Sequence, residues 1–411
     1  MLTPGCLNRR QLLTLLPAGL IAACSPGRRP SQPVPETWTE ILAAARGQTV
    51  RWNAWAGDPN VNAYIAWCAD ELASHYGLRL EHLKTDDTSS GVTRLLADKT
   101  AGRIDNGSMD LLWINGENFA AARQQGLLYG PFARRLPHAD LVDWEGKPST
   151  ARDFTLPTDG FESPWGMAQI TFFHDSARGP APPRSVLALL DWARARRGRF
   201  AYPAPGDFAG VTFLKQALSE LIADPAQLQV PVVEAQFQTA TAPLWAYLER
   251  LHPHLWRAGQ AFPSDTPTMM RLFEDRETEL AFAFNPAEAA VAVSAGRLPA
   301  SVRAYTFDKG TIANAHFVAI PFNSAAKEGA MVTADFLLSP KAQARKADPA
   351  LWGDAGVLAL DRLSAEERAL FDRLGTHLSL PGKDDQRRTL PEPHPSWHVA
   401  LSEAWRARFA K

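Results

Sequence analysis

A chain of 411 residues exceeds the roughly 250–300 at which a single hydrophobic core stops growing, so at least two lobes are expected. With 45% hydrophobic residues, 21% charged residues and a formal net charge of -1, it has the composition of a globular protein. It lacks the basic excess that nucleic-acid binding requires, so no nucleic-acid partner is expected.

The chain begins with Arg9 and Arg10 ahead of the uncharged stretch "QLLTLLPAGLIAAC", which is too short to span a bilayer comfortably and fits the apolar region of a signal peptide. The arginine pair resembles a twin-arginine export signal, and ordinary Sec export fits the same residues. "LIAAC" resembles a bacterial lipoprotein box, so Cys24 is the expected lipidated residue, followed by the tether "SPGRRPSQPVP". Removal of the signal leaves Cys68 as the one ordinary cysteine, which excludes an intrachain disulfide framework. Its apolar neighbours in "AYIAWCADEL" favour a small buried hydrophobe over a nucleophile.

From Gln48 the chain alternates between strand and helix patterns. "TVRWNAW" reads as a strand, "PNVNAYIAWCADELASHY" as an amphipathic helix, "LRLEHLK" as a strand, "SSGVTRLLADKTAG" as a helix and "MDLLWI" as a strand. This order predicts βα units around a parallel sheet, with ligands bound beyond the carboxyl ends of the strands. Two such ends are polar: "WNAWAGDPN", with Trp55 and Asp58, and "NGENF", with Asn115, Glu117 and Asn118. A second α/β region follows. "PWGMAQITFFH" is read as the strand entering it, "PGDFAGVTFLKQAL" as a loop and helix presenting Asp207, Phe208 and Thr212, and "AFAFNP" as a strand ending at Asn285. "AYTFDKGTIANAHFVAIP" returns the chain to the first lobe, and helices broken by Pro and Gly complete it.

The phrases "GQTVRWNAWAGDPNVNAYIAW", "DLLWINGENF", "ESPWGMAQITF", "PHLWRAGQAFP", "AFAFNPAEA", "NAHFVAIP" and "SPKAQARKADPALWGD", in that order, resemble the YnjB-like family of ABC-transporter substrate-binding proteins. The resemblance implies a type II periplasmic-binding-protein fold: two α/β lobes, each a mixed, mainly parallel sheet flanked by helices, with the ligand between them. It also implies delivery of a small solute to a membrane permease and, through it, to an ATP-binding subunit. Proteins for thiamine, polyamines and ferric iron belong to the same wider class.

A closing cleft needs a stacking surface, a few oriented polar groups and a charge matched to its ligand. Trp52, Trp55, Trp113, Trp165, Phe208 and Trp352 are the aromatic candidates, of which Trp113 is assigned to the core and Trp55 and Trp165 adjoin turns and Gly. Asp58, Asn115, Glu117, Asn118, Thr212 and Asn285 are the polar ones, although capping is the ordinary task of Asp58. A carboxylate beside an aromatic ring favours a cation, hence a thiamine-like solute ahead of a polyamine. Ferric iron fits less well, because only 6 Tyr occur and none is paired. The histidines of "HPH" (His252, His254) and "HPSWH" (His394, His398) are assigned to the surface.

No nucleotide loop, nucleophile elbow or zinc motif is present, so no enzyme, metal or cofactor is expected. A carboxylate-dependent hydrolase using Asp58, Glu117 and Asp207 is the alternative, as is a lipoprotein adaptor without a small ligand. The expected organisation is a signal peptide at 1–23 and a lipidated tether at 24–37. Lobe 1 spans 38–168 and 305–345, lobe 2 spans 169–304, and a helical segment packs on both at 346–411. The protein is expected to act as a monomer in the periplasm or cell envelope, held to a membrane by its N-terminal lipid.

Overall fold

The structure, a computed structural model, describes residues 33–179 and 181–410. The proposed signal, Cys24 and most of the tether lie outside the described residues. Among the described residues no helix is long and apolar enough to cross a membrane.

Among the described residues twelve strands are formed: β1 (Thr49–Trp55), β2 (Arg79–Thr85), β3 (Leu111–Ile114), β4 (Leu128–Tyr129), β5 (Arg152–Asp153), β6 (Leu156–Pro157), β7 (Glu162–Gln169), β8 (Thr171–Asp175), β9 (Leu280–Ala283), β10 (Val302–Tyr305), β11 (Thr311–Pro321) and β12 (Thr389–Pro391). The first sheet runs β12-β11-β3-β1-β2, and β4 and β7 also pair with β11. β1 is parallel to both β2 and β3, as the two βα units require. The helix between β1 and β2, Pro59–Tyr76, starts on the Asp58 cap with Pro59 in its first turn and ends at Gly77 with φ 65. Alternation along β3 sends Leu111 and Trp113 to one face, and Leu112 and Ile114 to the other. The first face packs Trp52, Trp165, Tyr64 and Trp352 together, and the second packs Phe119 and Phe317.

The second sheet is β10-β8-β9, with all three strands antiparallel and Phe200 adding a parallel bridge to Leu280. Phe172 and Phe282 face a core built with helices Val186–Ala195, Phe208–Leu221, Glu234–Leu251 and Pro395–Phe409. Phe173 and Ala281, one residue along each strand, face a separate cluster.

Three segments link these bodies. β7 leads into β8 through Ile170, whose N–H donates to the Ile312 carbonyl at 2.9 Å. β10 leads back to β11, where the Gln169 amide donates to Thr311 Oγ1 at 3.1 Å. β12 pairs with β11 in the first sheet, while the helix that follows places Trp397, Leu401 and Trp405 in the second lobe's core. The last 66 residues therefore supply a sheet strand as well as helices. Two further residues are core groups. Cys68 is fully buried, as its apolar neighbours imply. His252, expected at the surface, is buried with Nε2 2.7 Å from the Tyr202 hydroxyl, and burial lowers its pKa to about 4.

Candidate ligand site

The tips of β1 and β3 are neighbours. Asn53 pairs with Leu112, so continuing the register brings Trp55 beside the end of β3, where Asn115 begins the turn. Beyond Trp55 the chain turns through Gly57, where a Cβ would run into the Trp55 indole. Asp58 then accepts from the N–H groups of Asn60 (2.5 Å) and Val61 (3.2 Å). At β3 the turn is made by Gly116 with φ 60 and ψ -125, a conformation that side-chain-bearing residues avoid. A Cβ there would also lie 2.5 Å from the Phe154 ring. The Gly116 N–H donates to the Asp153 carboxylate at 2.5 Å, which fixes the β5–β6 hairpin against the strand tip.

Glu117 opens helix Glu117–Gln124, and its Oε1 accepts from the Asn118 amide at 3.1 Å. Its Oε2 is buried without a hydrogen-bond partner and lies 3.7 Å from Nδ1 of His398. His398, expected at the surface, therefore belongs to this interior. Pro395 starts its helix and points that face of the first turn inward.

The facing wall is helix Phe208–Leu221. Its cap, Asp207, accepts from the Ala209 N–H at 2.9 Å and the Thr266 hydroxyl at 3.0 Å. Phe208 stacks on His398 with centroids 5.7 Å apart and meets Phe284 edge-on at 5.4 Å. Two turns along, Lys215 is fully buried and donates to Glu392 Oε2 at 2.6 Å. Its ammonium lies 4.5 Å from the Phe154 centroid and 5.2 Å from that of Phe208. The other oxygen of Glu392 accepts from the Asn314 amide at 3.0 Å.

The electrostatics are dominated by buried acid. Burial raises Glu117 to about 7; Lys215 opposes the rise, and Glu392 and Asp87 add to it. Asp153 is raised by burial and by the neighbouring charges of Glu117 and Glu392. Glu392 is raised by burial against the pull of Lys215. His398 is lowered by burial and then by Lys215, so it is neutral and offers the carboxylates no charge. A second acidic contact lies nearby in the sequence of tips: Glu288 is raised to about 7 by burial and then by the charge of Asp58.

Of the aromatic and polar candidates, Trp55, Asn115, Glu117 and Asn118 cluster at the strand tips, with Phe208 on the facing helix. Asn285 donates to the Trp352 carbonyl at 3.1 Å, linking the lobes through backbone. Three candidates are packed into the interior. Trp165 is fully buried between Trp52 (5.4 Å) and Trp113 (4.8 Å), because alternation along β7 turns it into the core. Thr212 is fully buried, and its hydroxyl donates to the Phe208 carbonyl at 2.7 Å. Trp352 is 5% exposed, its indole packs on Tyr64 and Trp165, and its carbonyl accepts from Asn285. Asp58 performs its capping task. The groups that sequence reasoning missed are Asp153, Phe154, Lys215, Glu392 and His398. Lys215 alone carried a signal, as the single charge in the apolar run "FAGVTFLKQAL".

Two α/β bodies joined by crossing strands, with polar groups converging where they meet, define a solute-binding protein of the two-lobed type. The chain belongs to the bacterial extracellular solute-binding protein family, whose model matches residues 66–354. Protein YnjB of Escherichia coli strain K12 is 43% identical over 373 residues, which are 90% of this chain and 94% of that protein. Among solved structures, a periplasmic thiamin binding protein matches with TM-score 0.57 and 18% identity, covering 88% of this chain and 95% of that one. The ferric binding protein from Campylobacter jejuni gives 0.61 and 13%, covering 88% and 99%. A putative spermidine/putrescine ABC transporter from Listeria monocytogenes gives 0.61 and 12%, covering 88% and 98%. These structures share the fold. The family is one of extracellular solute-binding proteins and not of enzymes.

Proposed function

We propose that the chain captures a small cationic solute, thiamine-like ahead of a polyamine, and carries it to its permease by hinge closure. Trp55, Asn115, Glu117 and Asn118 of the first lobe hold the solute against Phe208 and Asn285 of the second. The observation that carries this reading is an imbalance of charge. Glu117, Asp153 and Glu392 converge on a single lysine and a neutral histidine, and Glu117 Oε2 and Asp153 Oδ1 have no hydrogen-bond donor. A bound cation would relieve both the burial and the mutual repulsion of these carboxylates. Flat aromatic groups at Trp55 and Phe208 suit a delocalised ring cation better than a flexible chain of ammonium groups.

In this reading the hinge lies at the crossings around Ile170 and Thr311, with lobe 1 at 38–168 and 305–345 and lobe 2 at 169–304. Solute bridging the lobes favours the closed form by its differential affinity for it. The protein works as a monomer, anchored through a lipid on Cys24 after cleavage before that residue. Isothermal titration with thiamine, spermidine and a neutral heteroaromatic at pH 8 tests the ligand class. Saturable binding of thiamine, weaker binding of spermidine and none of the neutral compound is expected. Preference for the neutral compound would overturn the reading.

A further inference from the structure

Lys215 has an unusual position for a lysine. Its ammonium is withdrawn from water, bonded to one carboxylate, and placed between an aromatic ring from each lobe: Phe154 from the β5–β6 hairpin and Phe208 from the facing helix. Glu392, which holds it, comes from a third segment and is itself fixed by Asn314 on β11. Asp153, beside Phe154, is fully buried with Oδ1 unpartnered, although its other oxygen takes the Gly116 N–H. Two aromatic faces with carboxylates around them form a cage suited to an alkylammonium group. The chain fills that cage from its own helix.

We infer that Lys215 is a specificity-determining residue: its ammonium occupies a second cation subsite, formed by Phe154, Phe208 and Glu392, and leaves Glu117 to receive a solute with one positive centre. The inference rests on the cationic reading of the site and deepens it. A diamine would need both positions, and the lysine is covalently present at one of them. The helix that carries the ammonium is also tied to the crossing segment, because Gln216 accepts from the Ile312 N–H at 2.9 Å and donates to the Gly310 carbonyl at 3.2 Å. The filling group therefore moves with the hinge and not with the solute.

The test uses Lys215→Ala and the wild-type chain, with butylammonium, butanol, putrescine and thiamine as probes. In Lys215→Ala, butylammonium is expected to raise Tm in a saturable way and by clearly more than in the wild type, with no such effect from butanol. Putrescine should gain about tenfold in affinity, the scale of a desolvated cation–π contact joined to a charge-assisted hydrogen bond. Should the variant be unfolded alone, refolding in the presence of butylammonium reads the same cage. Equal responses to butanol and butylammonium, or no response to either together with unchanged putrescine affinity, would overturn the inference. Thiamine binding by the wild type is measured alongside, so failure of the cationic reading shows there and failure of the Lys215 inference shows only in the variant.

Discussion

Replacing Glu117 by Gln separates binding from stability, because the two effects have opposite signs. The carboxyl is raised from an ordinary 4.5 to about 7, with burial as the leading cause. The folded chain therefore holds an extra proton between those values, and stability falls as pH rises through that window, the loss being complete above about 7. At about 1.4 kcal/mol per tenfold change the resistance to ionisation amounts to about 3 kcal/mol. The side chain is 24% exposed, and solvent screening brings this nearer to about 2 kcal/mol. The amide keeps the acceptor that Asn118 uses and removes the charge. Calorimetric unfolding should show Tm rising by a few degrees at pH 8 and no change at pH 4. Solute binding should move the other way. A carboxylate and a cation about 4 Å apart attract by about 4 kcal/mol at an effective dielectric of 20. With desolvation set against this, a net loss of about 2 kcal/mol, or roughly 30-fold in affinity, is expected for a cation at pH 8. An unchanged affinity, or a variant less stable than wild type at pH 8, would refute the reasoning.

Gly116→Ala forces a Cβ into a glycine-only conformation against the Phe154 ring and should cost about 2–4 kcal/mol in urea unfolding. A cost below about 0.5 kcal/mol would show that the turn relaxes freely. Asp354→Asn leaves the fully buried Lys346 ammonium without its 2.6 Å partner and removes the charge beside His316, so a loss of about 3–5 kcal/mol is expected in thermal unfolding. Wild-type stability would contradict that assignment. Thr212→Val deletes a bond internal to its helix, and calorimetry should find solute affinity within about twofold of wild type. A tenfold loss would return Thr212 to the cleft wall.

The parts of the fold that were legible are those written in local periodicity. The β1, β2 and β3 strands and the helices between them follow directly from alternating and 3.6-residue patterns, and the change from apolar to polar at Ile114 marks a true strand tip. The run "MDLLWI" overstates β3, which begins at Leu111. Asp110 is fully buried before it, accepting from the Arg51 N–H and the Ser324 hydroxyl, and so serves as a staple inside the core. Thr212 sits close to a helix opening, a place that often faces ligand, whereas this helix is buried over most of its surface. The acidic interior was illegible for another reason. Glu117, Asp153, Lys215 and Glu392 lie far apart along the chain and meet only through sheet register and the three crossings, so no window of sequence contains their relation. Glu392 and His398 were further hidden by the surrounding prolines, which look like loop punctuation and instead set β12 and the start of the last helix.

Capture of a positively charged solute between the lobes is the claim on which the rest depends. Mass spectrometry of small molecules released by denaturing the natively purified protein tests it most directly. The account predicts a single cationic species at close to one per chain, absent from the Glu117→Gln variant. A neutral or anionic molecule at that stoichiometry, retained by the variant, would contradict it.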